Sequence, residues 1–161
     1  MKGWRLAGEA LLLIVVVIAA QAFAARGTAS GPAPALSGVT LDGQSVSLET
    51  LHGQPVLVHF WATWCPICVM EQGSIDALAR HYQVVTVAED DATEAEIRHY
   101  LDKHSVQYPV LHDARSEVGN RWGVRGVPAS FVIDPRGRIV FREVGYTTGL
   151  GLRMRMWWAS L

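Results

Sequence analysis

A C-x-x-C motif between a strand pattern and a helix pattern constrains the fold of this 161-residue chain more than any other feature. The run Pro55–Ala62 (PVLVHFWA) is almost continuously apolar and rich in β-branched residues, which is typical of a central strand covered on both faces. Cys65 follows this run, and residues 66–81 carry apolar side chains at helical spacing. The sequence therefore predicts a strand, a short loop that ends at Cys65, and a helix that begins at Pro66.

The two cysteines, which are the only ones in the chain, are predicted to form a redox-active pair. The thiolate is the nucleophile in disulfide exchange, and the N–H groups and dipole at a helix N-terminus lower the pKa of a thiol placed there. Pro66 suits the first helical turn, because its missing N–H would have no partner there. Cys68 lies one turn further along the helix. We therefore expect Cys65 to be the attacking, more exposed thiol and Cys68 the resolving, more buried thiol.

Two other roles for the cysteine pair have less support. A static disulfide across two intervening residues closes a very small loop and removes little entropy from the unfolded chain. A structural zinc site needs two further ligands, and His99 and His104 lie five residues apart on a predicted helix, which places them on different sides. We expect no metal, and no cofactor besides the Cys65–Cys68 disulfide itself.

Glu71 and His59 are candidates for proton transfer near the cysteines. Glu71 lies one helical turn after Cys68, where a partly buried carboxyl would have a raised pKa suited to acid–base catalysis. Periodicity alone is equally consistent with a solvated helix glutamate. His59 lies inside the predicted central strand and is either a hydrogen-bonded core residue, which the pattern favours, or a proton acceptor. Trp61 is predicted to pack in the core, and Trp64 to cover the edge of the site.

The remaining patterns predict an α/β fold. Strands are predicted within Val39–Leu48, as a hairpin around Asp42-Gly43, and at Val84–Ala88, Ser130–Asp134 and Arg138–Val144, with a short extended piece at Tyr108–Leu111. A capping box, Thr93-x-x-Glu96, predicts a helix that ends at about His104, and further helices are predicted at Ser116–Trp122 and Leu150–Leu161. Strand–helix–strand order predicts a parallel pair, and the late hairpin adds antiparallel strands. The result is a mixed central sheet flanked by helices, with an N-terminal β-hairpin.

Residues 1–25 have the order of an export signal. Lys2 and Arg5 precede an apolar stretch, Ala10–Ala25, which indicates a secretory signal peptide or a signal anchor. The stretch is short for a membrane span, and Ala22-Phe23-Ala24 is an A-x-A cleavage pattern, yet a retained anchor is favoured, partly on a family resemblance described below. Either outcome places the rest of the chain outside the cytoplasm, because positive charge stays inside.

A single folded domain is expected behind a linker. Residues 26–35 (RGTASGPAPA) are small, polar and rich in proline and glycine, which predicts a flexible tether. Residues 36–161 then form one domain of ordinary size. Half of all residues are apolar, as a packed core requires, and the formal net charge of −1 provides no basic field for nucleic acid. No nucleic-acid partner is expected.

Several motifs between residues 33 and 160 carry a family resemblance. They are Gly43-x-x-Val46-Ser47-Leu48, Pro55-Val56-Leu57-Val58, Phe60-Trp61-Ala62-Thr63-Trp64-Cys65-Pro66-x-Cys68, Val124-Arg125-Gly126-Val127-Pro128 and Ile133-Asp134-x-x-Gly137-x-Ile139. Together they resemble the TlpA-like branch of the thioredoxin superfamily, which includes the membrane-tethered periplasmic reductases ResA and DsbE (CcmG). The Pro66-Ile67 dipeptide and Gln72–Ile75 are most similar to ScsD-type proteins.

The resemblance implies a thioredoxin fold with an extra N-terminal hairpin and a central insertion. It implies that Pro128 is a cis proline that faces the dithiol and, beside Val127, helps to bind substrate backbone. From the residues alone, an ordinary proline at a strand entrance is equally consistent. With Trp64 and Pro66, these residues form the predicted substrate-binding edge. The resemblance also implies a functional role for Glu71.

Two positions depart from the family pattern. Gly73 stands where the family often has a proline, so α-helix bending there is expected to be weaker or displaced. His59 occupies the position of thioredoxin's buried aspartate, where this branch commonly has asparagine. The assignment of His59 to a proton relay therefore stays open.

The expected function is reduction of protein disulfides at the outer face of the inner membrane. The resemblance implies a single-pass anchor, a periplasmic C-terminal domain, protein thiol or disulfide substrates, and a membrane electron donor of the DsbD or CcdA type. One alternative is an oxidase that donates disulfides, since C-P-x-C motifs occur in both classes. A second is a thiol chaperone that handles copper or haem, since thiolates bind Cu(I).

Overall fold

The computed structural model describes residues 9, 11–12, 15–16, 19–21 and 23–161. Much of the predicted anchor or signal segment, residues 1–25, lies outside the described residues, at positions 1–8, 10, 13–14, 17–18 and 22. The described residues between 9 and 24 are helical. No helix among the described residues combines the length and the apolarity that crossing a membrane requires.

A six-stranded mixed sheet lies at the centre of the domain. Residues 25–161 contain eight strands, six of which form this sheet. They are β1 (Gly31–Pro32), β2 (Ser37–Val39), β3 (Ser45–Ser47), β4 (Val56–Trp61), β5 (Gln83–Ala88), β6 (Val110–His112), β7 (Ala129–Ile133) and β8 (Arg138–Val144). The sheet order is β1-β8-β7-β4-β5-β6, and β2 and β3 form a separate hairpin. Strands β4, β5 and β6 are parallel, whereas β7, β8 and β1 run antiparallel to their neighbours. The predicted mixed sheet and N-terminal hairpin are thus confirmed.

Within residues 25–161, four α-helices and one 3-10 helix accompany the sheet. They are α1 (Pro66–Ala79), α2 (Glu94–His104), α3 (Glu117–Trp122), α4 (Gly149–Ala159) and the 3-10 helix Leu48–Leu51. Helix α2 begins with the predicted capping box, in which the side chains of Thr93 and Glu96 each accept from the other's backbone N–H. Helix α3 is capped instead by the Asp113 carboxylate, which accepts from three consecutive backbone N–H groups. The ends of α1 and α4 fall two residues before the predicted ends, as fraying last turns commonly do.

The sheet separates two apolar clusters. One contains Leu57 and Trp61 of β4 and packs against α1, α2 and α4, and the other contains Val58 and Phe60 and packs against α3. Side chains alternate between the two faces of a strand. His59 therefore shares its face with Leu57 and Trp61, on the side of α1.

Part of the segment predicted as a flexible tether packs on the domain. Strand β1 pairs with β8, and the N–H of Ala29 donates to the carbonyl of Trp122 at 2.8 Å. A Cβ atom added at Gly123 would lie 2.2 Å from the carbonyl oxygen of Gly27, so the two backbones are in close contact. The small residues that indicate a linker in the sequence thus also permit this backbone packing, which composition alone does not predict.

Candidate functional site

The cysteine pair lies at the N-terminus of α1, where β4 leads into the helix. Cys65 is the N-cap residue, and Pro66 occupies the first turn, as predicted. Cys65 and Cys68 form a disulfide. The backbone N–H of Cys68 donates to Cys65 Sγ at 3.1 Å. After reduction, the same N–H and the helix dipole favour the thiolate of Cys65 over its thiol.

Residues Cys65 and Cys68 differ less in exposure than the sequence predicts. Cys65 is 3% exposed and Cys68 is 2% exposed. The reason is that Cys65 Sγ packs 3.7 Å from the carbonyl oxygen of Val127, which is brought in from the loop before β7. The helix-capping position of Cys65, rather than its accessibility, therefore distinguishes the two cysteines.

The loop before β7 forms one side of the site. The Val127–Pro128 peptide bond is cis, as the resemblance implies. Pro128 is buried, and its carbonyl accepts a hydrogen bond from the N–H of Gly145 at 2.9 Å. Val127 is half-buried, with its carbonyl next to Cys65. A reduced Cys65 can donate its S–H to this carbonyl, whereas the disulfide cannot.

Exposed apolar groups adjoin the cysteines in the chain. Trp64 immediately precedes Cys65 and is 66% exposed. Pro66, Ile67 and Met70, in the first turns of α1, are exposed as well. Trp61, in contrast, is buried and packs against aromatic rings of the core, as predicted. Exposed apolar side chains grouped in this way are typical of an interaction surface.

Asp90 anchors the loop between β4 and α1, and sequence reasoning did not identify it. Its Oδ2 accepts from the N–H and from the hydroxyl of Thr63, both at 2.6 Å, and its Oδ1 accepts from the N–H of Ala92 at 2.9 Å. Burial opposes ionisation, but the hydrogen bonds from Thr63 and Ala92 outweigh it and hold the pKa of Asp90 below its usual value. The position of Asp90, just after a strand that pairs with β4, is the signal that could have identified it.

Glu71 is buried on the side of α1 that faces the sheet, so it is not a solvated helix residue. Its Oε2 accepts from the N–H of Thr147 at 3.0 Å, while Oε1 is buried and has no hydrogen-bond partner among the described residues. Burial raises the pKa of Glu71 to about 7, and the Thr147 hydrogen bond partly opposes that rise. Glu71 therefore exchanges its proton near neutral pH, one helical turn from Cys68.

His59 and Glu71 are brought together across the contact between β4 and α1. His59 Nε2 lies 3.7 Å from Glu71 Oε1, and His59 Nδ1 lies 2.9 Å from the hydroxyl oxygen of Ser130. Burial lowers the pKa of His59 to about 3, so its imidazole is neutral at pH 7 and does not form an ion pair with Glu71. His59 is thus both a hydrogen-bonded core residue and a direct neighbour of the buried acid.

Comparison with known proteins places this arrangement in a family. Residues 29–142 match the model of the AhpC/TSA family. The chain belongs to the AhpC/TSA family. The matched segment contains the Cys65–Cys68 pair, Glu71, His59, Asp90 and Val127-Pro128.

Relatives of this AhpC/TSA-family chain are named as thioredoxin-like proteins, thiol-disulfide oxidoreductases and thiol:disulfide interchange proteins. The chain is 34% identical over 122 residues to a thioredoxin-like protein of Haemophilus influenzae, a match that covers 74% of the chain and 72% of that protein. It is 30% identical over 112 residues to the thiol-disulfide oxidoreductase ResA of Bacillus thuringiensis, covering 67% of the chain and 65% of ResA. A crystal structure of a putative thiol:disulfide interchange protein DsbE from Chlorobium tepidum superimposes with a TM-score of 0.72 at 26% identity, covering 82% of the chain and 98% of that structure.

These relatives confirm the thioredoxin fold and the similarity to ResA and DsbE. The similarity to ScsD-type proteins stays a prediction. Within the AhpC/TSA-family fold, the structure gathers Cys65, Cys68, Val127 and Pro128 at one end of α1, with Glu71 and His59 buried nearby. Ser130 and Thr147 were missed by sequence reasoning. A polar residue inside the otherwise apolar β7 pattern was the signal for Ser130, and no pattern marks Thr147.

Proposed function

We propose that this protein is an extracytoplasmic thiol–disulfide oxidoreductase that reduces disulfides in other proteins. One observation carries the proposal: the Cys65–Cys68 disulfide caps α1, with the Cys68 N–H donating to Cys65 Sγ. This arrangement stabilises a thiolate at Cys65 and keeps a second thiol within one helical turn of it. The similarity to ResA and DsbE supports the same chemistry.

The reaction begins with the reduced protein. The Cys65 thiolate attacks one sulfur of the substrate disulfide, the substrate S–S bond breaks, and a mixed disulfide forms while one substrate thiolate leaves. Cys68 then attacks Cys65 Sγ, which releases the second substrate thiolate and forms the Cys65–Cys68 disulfide. Two electrons pass from the cysteine pair to the substrate. One proton of the substrate thiols comes from Cys68, and the other comes from solvent, because Cys65 reacts as the thiolate.

Glu71 is proposed to act as the proton acceptor for Cys68. The attack by Cys68 requires its thiolate, and a carboxylate whose pKa is about 7 takes up a proton readily at neutral pH. Glu71 lies one helical turn from Cys68 on α1, and both residues are buried. Glu71 then returns this proton to the departing substrate thiolate, which regenerates its carboxylate.

The substrate-binding edge is proposed to comprise Trp64, Pro66, Val127 and Pro128. Trp64 and Pro66 are exposed on either side of Cys65 in the sequence, and the Val127 carbonyl lies against Cys65 Sγ. An exposed tryptophan offers a large apolar contact area at little entropic cost, which suits recognition of varied protein segments.

The N-terminal segment supports a location at the inner membrane. Positive residues followed by the apolar stretch Ala10–Ala25 are consistent with a signal peptide or a signal anchor, and both support a C-terminal domain in the periplasm. The resemblance to membrane-tethered reductases favours the retained single-pass anchor. Each catalytic cycle leaves the disulfide, so a donor must return two electrons. A membrane dithiol protein of the DsbD or CcdA type fits this requirement, because it would meet a tethered domain at the same membrane face.

Two measurements test the proposal. The first is the reduction potential of the Cys65–Cys68 couple, determined by equilibration with glutathione. A reductase requires a value well below that of a strong oxidant such as DsbA, about −120 mV. A potential near the DsbA value would overturn the reductase direction and favour disulfide donation.

The second measurement is capture of substrates as mixed disulfides. Cys68→Ala should accumulate protein adducts through Cys65 on non-reducing gels, because the resolving thiol is missing. Cys65→Ala is the matched control and should accumulate none. Equal capture by both variants, or capture by Cys65→Ala alone, would contradict the assigned roles.

A further inference from the structure

A cluster of buried polar groups lies between β4, β7, α1 and the loop before α4. Its members are Glu71, His59, Ser130 and Thr147, and each is buried. Three contacts connect them: Thr147 N–H to Glu71 Oε2 at 3.0 Å, Glu71 Oε1 to His59 Nε2 at 3.7 Å, and His59 Nδ1 to Ser130 Oγ at 2.9 Å. Among the described residues, Glu71 Oε1 has no hydrogen-bond partner of its own. His59 Nε2, 3.7 Å away, is positioned to become that partner, and the buried hydroxyl of Thr147 also has no hydrogen-bond partner among these residues.

The Ser130 hydroxyl decides what His59 can offer to Glu71. A neutral imidazole carries one proton, either on Nδ1 or on Nε2, whereas a hydroxyl can both donate and accept. If Ser130 donates to Nδ1, the imidazole proton lies on Nε2 and points at Glu71. If Ser130 accepts from Nδ1–H, Nε2 presents its lone pair to Glu71 instead. The contact between His59 and Ser130 is satisfied in both cases.

We propose that His59 and Ser130 are positioning residues that form a tautomer-switching partner for Glu71, matching whichever protonation state Glu71 carries. When Glu71 is protonated, its O–H donates to Nε2, and Nδ1–H donates to Ser130. When Glu71 is ionised, Nε2–H donates to Oε1, and the Ser130 hydroxyl donates to Nδ1. The two states differ by one proton, the one that Glu71 gives up or takes up, and the imidazole carries one proton in both.

The physical reason is the cost of an unpartnered charge in the core. A buried carboxylate without donors is strongly unfavourable, and a buried acid O–H without an acceptor is unfavourable as well. A group with a fixed donor would stabilise only the carboxylate, and a group with a fixed acceptor would stabilise only the acid. Proton exchange with Cys68 requires both the protonated and the ionised form of Glu71. A partner that can hydrogen-bond to either form keeps the two forms close in free energy. In either state the 3.7 Å separation closes to a hydrogen-bond distance of about 2.9 Å.

Among the described residues, the ionisable groups that the surrounding elements bring near the cluster are paired or neutral. On β8, Glu143 is opposite Ser130 in register and pairs with Arg155 of α4 at 2.7 Å. On β5, Thr86 is opposite His59, and its hydroxyl accepts from Trp61 Nε1 and donates to the carbonyl of Pro109.

The other titratable side chains near the cluster are uncharged. Burial raises the pKa of Tyr100 and Tyr108, which contact Trp61, so both phenols are neutral. Cys68 of α1 is held in the disulfide and does not titrate.

The inference rests on the proposed function only for the purpose of the tautomer change, which is proton exchange between Glu71 and Cys68. Its test requires no measurement of enzymatic activity. The full-length oxidised protein, labelled with 15N-histidine and with 13C at the glutamate carboxyl, is titrated by NMR from pH 5 to 9. We expect the Nδ1 and Nε2 shifts of His59 to exchange donor and acceptor character with the same midpoint as the Glu71 carboxyl, without the shift of an imidazolium. A single His59 tautomer throughout the range, or a charged His59, would overturn the proposal.

Three variants identify the role of the hydroxyl. Ser130→Ala should abolish the pH-dependent tautomer change and move the Glu71 midpoint, whereas Ser130→Thr, which keeps a hydroxyl, should retain both. Thr86→Val is the matched control, because it removes a hydroxyl from the neighbouring strand that bonds to Trp61 and not to His59. An identical Glu71 titration in Ser130→Ala and in the unmodified protein would contradict the inference.

Activity separates this inference from the proposed function. If the tautomer change is observed but the reduced protein does not reduce protein disulfides, the proposed function fails and the inference stands. If reduction is observed with a single His59 tautomer, the inference fails and the function stands. In an active protein, Ser130→Ala should displace the pH–rate profile for disulfide reduction, and Ser130→Thr should restore it.

Discussion

A single carboxylate oxygen of Asp90, Oδ2, accepts hydrogen bonds from both the backbone N–H and the hydroxyl of Thr63. Thr63 lies two residues before Cys65, in the loop that joins β4 to α1. Asp90 lies just beyond β5, the strand that pairs in parallel with β4. The conformation of the active-site loop is therefore fixed from the neighbouring strand and not only by the loop's own residues.

Asp90→Asn should destabilise the oxidised protein by about 1.5–3 kcal/mol at pH 7, since the amide loses the charge that strengthens the hydrogen bonds from Thr63. The pKa of Asp90 is held below its usual value of 3.8, so its stabilising effect is present above that pH and is lost as the pH falls through the lower native pKa. Urea unfolding at pH 7 and in strong acid measures the difference, which should shrink in acid. Asp91→Asn, at the adjacent exposed position, is the control and should have little effect.

Glu71→Gln should flatten the pH dependence of stability in the oxidised protein. The pKa of Glu71 rises from 4.5 to about 7 on folding, so the native state binds more protons than the unfolded state between these values. Stability must therefore decrease as the pH rises through this window, by about 3 kcal/mol in total, and should not change further above it. Chemical unfolding from pH 4 to pH 8 measures this decrease. The same decline in Glu71→Gln would show that another group is responsible.

Glu71→Gln should also slow disulfide reduction at neutral pH and remove a step near pH 7 from the pH–rate profile. The amide cannot accept the proton of Cys68, so the resolving step loses its base. Stopped-flow reduction of a disulfide-containing protein across the pH range measures the effect. An unchanged profile would leave Glu71 as a structural residue.

Trp64→Ala should weaken substrate binding and leave stability nearly unchanged. Trp64 is 66% exposed, so its removal costs little packing, and surface substitutions usually change stability by less than about 0.5 kcal/mol. The apparent KM for a protein disulfide should rise, while unfolding in urea should not shift. Trp158→Ala is the control, since Trp158 is 65% exposed on α4, distant in sequence from the cysteines. A similar rise in KM for both variants would contradict a specific role for Trp64.

Gly123→Ala and Gly73→Ala should have opposite effects on stability. Gly123 has φ of 68°, and an added Cβ would lie 2.2 Å from the carbonyl of Gly27, so alanine requires the two segments to separate. At Gly73, inside α1, an added Cβ would meet no described atom within 4 Å beyond the adjoining helix backbone, so alanine there should stabilise the helix by about 1 kcal/mol. Thermal unfolding should show a loss for Gly123→Ala and a gain for Gly73→Ala. A loss at both positions would show that α1 requires the flexibility of Gly73.

The sequence predicted those features whose causes lie close together along the chain. The strand before Cys65, the proline in the first turn of α1, the Thr93 capping box and the hairpin around Asp42-Gly43 each depend on neighbouring residues. The structure confirms all four. Local propensity and hydrophobic period determine such features.

The features that the sequence did not predict depend on residues distant in the chain. The burial of Cys65 depends on Val127, and the neighbours of Glu71 depend on the register that places His59 opposite Ser130. The packing of Gly27 against Gly123 likewise joins two loops. One polar residue in a buried strand indicates that a partner exists, but it does not identify the partner, because that choice is made by the tertiary fold.

The burial of Ala25 bears on the predicted cleavage pattern Ala22-Phe23-Ala24, which lies immediately before it. Removal of the leader after Ala24 would make the α-amino group of Ala25 the new N-terminus, and that residue is buried in the structure, with its carbonyl 3.5 Å from the Arg142 guanidinium. The new ammonium ion would lose the hydrogen bond that the Ala25 N–H donates to the carbonyl of Gln21. It would also be a positive charge on a residue whose carbonyl accepts from the Arg142 guanidinium of β8. Cleavage at this position would therefore weaken the contact that holds residues 25–28 against β8.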